Sequence, residues 1–235
     1  MKKTIIIALL LLLTSCVSQN NESMQNSHSD PSQENTTNNV TESAGESEGT
    51  TLVIDVSSDR GIIFETDIGI RVIAKIVSID GYDNYWSDEN VYGGIYTYGK
   101  MEIMKVFNGD VEEGEQVGFV IAGGTLSFDR YAKGQDPTSL EKQIRTIKES
   151  GHDLPSYVTR RIEGTQIEEG NIYYLVTGKK RDVHGESYTI FPYEDTFMLA
   201  DESTINNDEI LAYRTDAKVW QDVTKIQFPK DKNDK

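Results

Sequence analysis

A polar stretch near the start of the chain, residues 17–50, sets the main limit on what can fold. Its 34 residues include no aromatic side chain, no Lys and no Arg, but six acidic side chains. A segment of this composition buries too little apolar surface to offset the chain entropy lost on ordering, so we predict a disordered linker over 16–50. Folding is then confined to residues 51–230, the length of one domain, with a disordered tail at 231–235.

The segment before the linker, residues 1–15, has the layout of a secretory signal peptide. Lys2 and Lys3 precede an unbroken apolar run from Ile5 to Leu13, and two small polar residues follow it. Nine helical residues rise only about 14 Å, whereas a membrane span needs about 20 residues. The run therefore predicts a cleaved signal rather than a retained membrane helix.

The signal ends in Leu13-Thr14-Ser15-Cys16, which resembles the lipobox of bacterial lipoproteins. The resemblance implies that Cys16 carries a diacylglycerol on sulfur and becomes the first residue of the mature protein. Two acyl chains hold a protein on a bilayer, whereas one does so only marginally. We expect a lipid-anchored protein on the extracytoplasmic face of the cell membrane, in a Gram-positive cell. The alternative is an ordinary signal peptide with a cysteine near its cleavage site by chance.

Cys16 is also the only cysteine in the chain. With its sulfur acylated, the mature protein has no disulfide, no thiol nucleophile and no cysteine-containing zinc site. A domain outside the cell must then be held together by its own core.

The charge balance disfavours a nucleic-acid partner. The net charge is −16, of which Lys2 and Lys3 contribute +2 and the linker −6, so residues 51–235 carry −12. A strongly acidic domain repels phosphate backbones and anionic lipid headgroups. Two basic clusters, Arg160-Arg161 and Lys179–Arg181, are interpreted as solvated loops.

The residues of the domain alternate in the manner of β-strands. Apolar residues recur with a period of two at 70–76, 101–107 and 117–121, and 172–176 is continuously apolar, as expected of a central strand. Shorter runs lie at 52–56, 188–191 and 197–199, and Gly-containing turns separate many of these segments. We therefore predict a mainly β fold.

A single helix is predicted over 138–150. Thr138 to Glu141 has the pattern of a capping box, Leu140, Ile144 and Ile147 share one face, and Gly151 is placed to end the helix. A helix between the third and fourth long strands is typical of the OB-fold, so we expect a small antiparallel OB-like barrel with one inserted helix.

Three strand segments carry a second resemblance. The segments 70–78, 98–109 and 169–178 are similar to successive strands of netrin-like domains, which include the tissue inhibitors of metalloproteinases. The likeness implies an OB-type barrel. It does not imply protease inhibition, because those inhibitors chelate the protease zinc through a free N-terminal cysteine and are cross-linked by disulfides.

Catalytic motifs are absent from the sequence, and no cofactor is predicted. The domain has two histidines, His152 and His184, and neither belongs to a metalloprotease, nucleotide-binding or serine-hydrolase motif. A hydrolase or metal-dependent enzyme that uses one of them with nearby carboxylates stays open as an alternative, because triads assemble from distant residues.

One acidic loop offers weak metal candidates. Asp80, Asp83 and Asp88 supply hard oxygen ligands of the kind that calcium prefers, but their spacing is not that of an EF-hand. The plainer interpretation is a solvated acidic turn.

The same loop is rich in aromatic residues. Tyr82, Tyr85, Trp86 and Tyr92 lie within eleven residues, interleaved with Asp and Asn. OB-type barrels bind ligands over one face and the loop after the first strand, and exposed Tyr and Trp anchor interfaces. We predict these four residues as a ligand-binding surface, whereas Tyr96 and Tyr98 are expected to cover the barrel.

Together these features favour a membrane-anchored, non-catalytic binding module for a protein or cell-wall ligand. The alternatives are the extracytoplasmic enzyme described above and a purely structural envelope protein.

Overall fold

Alternating β-branched residues form the long strand at the centre of the molecule, as seen in a computed structural model of the chain. The structure describes residues 36–41, 50–56, 63, 65–85, 92–162, 166–182, 184–193 and 195–230. For 36–41, 55–56, 85 and 92–93 it describes the backbone alone. The signal peptide, Cys16, Trp86, Asp88 and the tail at 231–235 lie outside these ranges.

The described elements are mainly strands, which confirms the predicted fold class. Two α-helices lie between β6 and β7, α1 (Phe128–Lys133) and α2 (Pro137–Glu149). The strands, in chain order, are β1 (Thr36–Thr41), β2 (Thr51–Val56), β3 (Ile68–Tyr85), β4 (Tyr92–Asn108), β5 (Gln116–Ala122), β6 (Gly124–Ser127), β7 (Tyr157–Ile162), β8 (Ile172–Gly178), β9 (Arg181–Asp182), β10 (Glu186–Thr189), β11 (Phe197–Ala200), β12 (Leu211–Arg214) and β13 (Val219–Asp222).

The larger sheet has nine strands in the order β13-β12-β11-β8-β3-β4-β5-β10-β9. Within it, β8-β3-β4-β5-β10 has the strand order of an OB-fold, with the helices between β5 and β8 as predicted. The pair β5 and β10 is parallel, which corrects the expectation of a purely antiparallel sheet. The chain reaches β10 through a long crossover, and such a connection allows parallel pairing.

The large sheet bends towards itself without closing. One isolated bridge joins Thr177 of β8 to Ile190, just after β10. Strand β8 also pairs with β11, and the sheet continues to β13, so the described strands do not form a closed barrel. The predicted barrel is thus an open, curled sheet.

The smaller sheet has the order β1-β2-β7-β6, with β2 and β7 parallel. Strand β1 lies inside the segment 16–50 that composition predicts to be a linker, and it pairs with β2 along its whole length. Strand β7 contains Arg160 and Arg161, so the prediction that they belong to a loop is wrong.

Two helices replace the single predicted one, and the start of α2 differs in detail. Asp136 caps α2, because its carboxylate accepts a hydrogen bond from the Ser139 amide at 2.8 Å, and Pro137 occupies the first turn. The predicted capping box at Thr138 is therefore wrong. Gly151, with φ +78°, ends the helix as predicted, and the His152 amide reaches back to the Ile147 carbonyl.

Three apolar clusters hold these layers together. The first fills the inside of the curled sheet and includes Ile76, Met101 and Phe119, and the third joins the small sheet to both helices. The second covers the opposite face of β3 and β8, where Ile73 and Tyr174 pack against residues of the C-terminal segment. Within the described ranges, no helix is long and apolar enough to cross a membrane.

Candidate ligand-binding site

The end of the β3–β4 hairpin presents side chains to two separate faces. Successive side chains of a strand point to opposite sides, so Tyr82 and Asp83 face in opposite directions. Tyr82 faces a pocket between the two sheets, and Asp83 faces His184. We call these sides the pocket face and the histidine face.

The pocket has a volume of about 180 Å³. This is below the usual range for a whole drug-sized ligand and suits one small ring or charged group of a larger ligand. Both sheets contribute to its wall, which mixes apolar side chains with hydroxyl, amide and guanidinium groups. Its wall includes Ile79, Ile121, Phe197, Thr97, Thr125, Thr159, Arg160, Arg161 and Gln166.

Tyr82 forms one wall of this pocket and is 45% exposed. Its ring lies directly against Gly124, where an added Cβ would stand 2.5 Å from the Tyr82 Cδ1 atom. Gly124 also has φ +131°, a conformation that side chains disfavour. Glycine at this position therefore lets the aromatic ring pack against the backbone at the start of β6.

The threonine hydroxyls on the pocket wall are arranged for hydrogen bonding. Thr97 donates to the Gly123 carbonyl at 2.8 Å. The Thr125 and Thr159 hydroxyls lie 2.8 Å apart on neighbouring strands. Only one of these two hydroxyls donates to the other, so the second keeps its hydrogen for a ligand.

The two arginines of β7 point to different sides of the small sheet. Arg160 shares a face with Val158, and its guanidinium lies against Gly94 of β4. Arg161 shares a face with Thr159, because side chains alternate along the strand, and it is exposed. Arg161 is therefore the cation on the same side as the threonine pair.

Tyr131 of α1 lies within the field of Arg160. Burial raises the pKa of Tyr131, while a hydrogen bond with Gln143 and the charge of Arg160 act in the opposite direction. The tyrosine stays neutral and belongs to the apolar cluster under the small sheet.

His184 is the centre of the histidine face. Its Nε2 atom lies 2.9 Å from the Tyr96 hydroxyl and 3.5 Å from Asp83 Oδ2. Its ring stacks on Tyr98, with centroids 3.9 Å apart and an angle of 4° between the planes. These contacts attach the turn between β9 and β10 to the hairpin. The contact with Asp83 places a histidine near a carboxylate, the pairing that the enzyme alternative requires.

Asp83 also forms an ion pair with Arg130 of α1. The guanidinium donates to both carboxylate oxygens, with distances of 2.7 and 3.0 Å from Nη2. Such a two-point pair fixes direction as well as charge. Asp83 is thus a structural partner of Arg130 and His184.

Asn84 attaches the hairpin to the end of α1. Its side-chain amide donates to the Tyr131 carbonyl at 2.7 Å, and the residue is only 1% exposed. Gly134 leaves room for this contact, since a Cβ there would lie 2.3 Å from Asn84 Nδ2. Helix α1 and the hairpin are therefore joined by the Asn84 amide as well as by the Arg130–Asp83 ion pair.

The structure describes the aromatic residues predicted from the sequence to different extents. Tyr82 is exposed beside the pocket, and Tyr85 and Tyr92 are backbone partners at the end of the β3–β4 pairing. Trp86 lies outside the described residues, so the aromatic surface is described only in part. Tyr96 is buried and Tyr98 is partly buried.

The weak metal candidates do not converge in the part of the chain that the structure describes. Asp80 is exposed and accepts a hydrogen bond from Ser78 at 2.8 Å, whereas Asp83 pairs with Arg130. Asp88 lies outside the described ranges. Among the described residues there is no group of three or more His, Cys, Asp or Glu side chains suited to a metal ion.

Sequence reasoning named His184 only for the enzyme alternative, interpreted Arg161 as part of a solvated loop, and missed Arg130 and the threonine pair. One signal could have placed His184 beside the hairpin, because OB-folds bring the loop between the fourth and fifth strands next to the loop after the first. The strand positions of Thr125 and Arg161 depend on the small sheet, for which the sequence offers no comparable signal.

Comparisons of this chain with protein-family models, with curated proteins and with solved structures find no match.

Proposed function

We propose that this protein is a membrane-anchored extracytoplasmic lipoprotein that acts as a non-catalytic binding module for a protein or cell-wall ligand. The anchor rests on the sequence alone, through the signal peptide and Cys16. The binding role is supported by one observation, the exposed Tyr82 ring fixed at the wall of a pocket lined with hydrogen-bonding side chains.

Tyr82 has the properties of an anchor residue. A tyrosine combines an apolar ring face with a polar hydroxyl and is rigid, so little entropy is lost when it is covered. Its position against Gly124 restricts the ring further. Tyr85, Trp86 and Tyr92 follow Tyr82 within eleven residues of the sequence and are the other candidates for the same binding surface.

Binding to purified, insoluble cell-wall material tests the proposal. We expect full-length protein to co-sediment with the wall, and Tyr82→Ala to lose most of that binding. Tyr157→Ala is a matched control, because Tyr157 is also an exposed tyrosine, at 38%, and is not part of the pocket wall. Trp86→Ala tests the remainder of the aromatic surface.

The same variants separate the two kinds of ligand. A protein ligand would appear as cross-linked species in the envelope fraction that are lost in Tyr82→Ala and kept in Tyr157→Ala. Equal behaviour of wild type and Tyr82→Ala in both assays would contradict a binding role for the hairpin.

A further inference from the structure

We infer that the pocket beside Tyr82 binds an acidic saccharide unit, a single sugar ring that carries a carboxylate or a phosphate. This inference rests on the proposed function and narrows its ligand to one chemical class. It is carried by the charge, the donors and the size of the pocket.

The charge of the pocket wall is opposite to that of the protein. The chain has a net charge of −16, yet the described pocket wall has no carboxylate and includes Arg161, an exposed arginine on the side of the threonine pair. A concave site of one sign concentrates ligands of the opposite sign, and the surrounding acidic surface repels the same ligands. An anion is therefore drawn to this site and away from most of the remaining surface.

The hydrogen-bonding groups on the pocket side match an acceptor-rich ligand. Arg161 is exposed, and a guanidinium offers five N–H donors in a planar arrangement that fits carboxylate and phosphate. The Thr125–Thr159 pair adds one further hydroxyl donor on the same side of β7. These donors favour an anion over a cation or an apolar group.

The volume of the pocket and the Tyr82 ring on its wall indicate which kind of molecule bears the anionic group. About 180 Å³ is below the usual range for a whole drug-sized ligand, so the pocket accommodates one unit of a larger molecule. Tyr82 offers a flat, amphipathic ring on one wall, and a pyranose ring presents a flat C–H face and hydroxyl edges. One acidic sugar unit fits both the volume and the chemistry.

Ligand-observed NMR titration of the full-length protein tests this inference with three probes: glucuronic acid, glucose 6-phosphate and glucose. We expect at least one acidic probe to bind about tenfold or more tightly than glucose, as follows from a hydrogen bond between charged groups. Binding of glucuronic acid alone would identify a carboxylate-bearing sugar, and binding of glucose 6-phosphate alone a sugar or polyol phosphate.

Variants of Arg161 locate the anion. Arg161→Gln should lower the affinity for the acidic probe about tenfold, and Arg161→Lys should retain part of it, because lysine keeps the charge without the planar donors. Arg181→Gln, on β9 and outside the pocket wall, is the control and should bind like wild type. If Arg161→Gln does not fold, the wild-type affinity should still fall as sodium chloride is raised from 50 to 500 mM, roughly the range over which screening becomes strong.

Several outcomes would overturn the inference. These are equal binding of glucose and the acidic sugars, binding of none of the three probes, and full binding by a folded Arg161→Gln variant. Loss of cell-wall binding in Tyr82→Ala together with no acidic-sugar binding would remove only the ligand class. Unchanged cell-wall binding in Tyr82→Ala would instead count against the proposed function itself.

Discussion

The imidazole ring of His184 lies parallel to the phenol ring of Tyr98, with their centroids 3.9 Å apart. His184 belongs to the turn between β9 and β10, and Tyr98 belongs to β4, so the stacked pair joins two segments that are far apart in the sequence. The backbone of His184 is left-handed, with φ +50°, so the loop turns sharply to place this ring.

Removing the His184 ring should loosen that loop. His184→Asn is the informative change, because Asn tolerates positive φ while the stacking and the Tyr96 contact are lost. A stacked aromatic pair contributes about 0.5–1.5 kcal/mol, which corresponds to a melting temperature lower by about 1–6 °C in a domain of this size. Hydrogen exchange should speed up at residues 184–187. His152→Asn, at an exposed position after α2, should change neither quantity.

Asn84→Asp should destabilise the junction between the hairpin and α1. The substitution replaces an amide that donates to the Tyr131 carbonyl with a carboxylate that repels it, at a site only 1% exposed. An unsatisfied buried partner costs about 1–3 kcal/mol, so thermal unfolding should occur about 2–12 °C lower. Asn207→Asp, at an exposed bend, is the matched control. Equal melting temperatures for both variants would show that Asn84 does not hold the junction.

The stability of the C-terminal segment should depend on acid pH through Asp222. Burial raises the pKa of Asp222, but hydrogen bonds from Lys225 and Thr224 outweigh this effect and lower the pKa to about 2. A carboxylate with a depressed pKa stabilises the folded state above its unfolded pKa of about 4, and this contribution disappears as the pH falls towards 2.

Thermal unfolding of Asp222→Asn against wild type at two pH values measures this contribution. At pH 7 the variant should melt about 2–4 °C lower, as expected for the loss of a charged cap worth about 1 kcal/mol. At pH 2 this difference in melting temperature should become much smaller, because the wild-type carboxylate, with a pKa of about 2, is then about half protonated. Asp208→Asn, at an exposed position, should show no gap at either pH. A gap that stays constant from pH 7 to pH 2 would contradict the assignment.

Cys16 should determine where the protein resides. Intact-mass analysis of the membrane fraction should show wild type that begins at Cys16 with an added diacylglycerol. Cys16→Ser should be unlipidated and should leave the membrane fraction or stay unprocessed, because its side chain has no thiol to acylate. A wild type released without lipid would mean that the lipobox is misinterpreted.

The long strands and α2 could be predicted because each has a pattern that repeats several times. Strand β3 has eighteen residues and helix α2 has thirteen, so the spacing of apolar residues repeats often enough in each to identify the element. Strands β12 and β13 have only four residues each, too few for alternation to distinguish them from loop. Helix α1, with six residues, is missed for the same reason.

Only the part of the candidate site that comes from one continuous segment, the β3–β4 hairpin, could be predicted from the sequence. The aromatic residues of the hairpin stand close together in the chain, so Tyr82 was identifiable. Arg161 and His184 reach the hairpin through sheet pairing and loop placement, which depend on contacts between distant segments. Composition alone gave no reason to separate Arg161 from other surface arginines.

The covering of β3 and β8 by the C-terminal segment has a consequence for the order in which the chain can fold as it is made. The ribosome produces β3 long before residues 226–228, yet Ile226 and Phe228 pack on the cluster that includes Ile73 of β3. Arg71 also donates to the Ile226 carbonyl, and the Glu65 amide donates to the Pro229 carbonyl. This face of the domain stays incomplete until residues 226–228 have been made, so the nascent chain exposes an apolar surface on β3 for most of the synthesis of the domain.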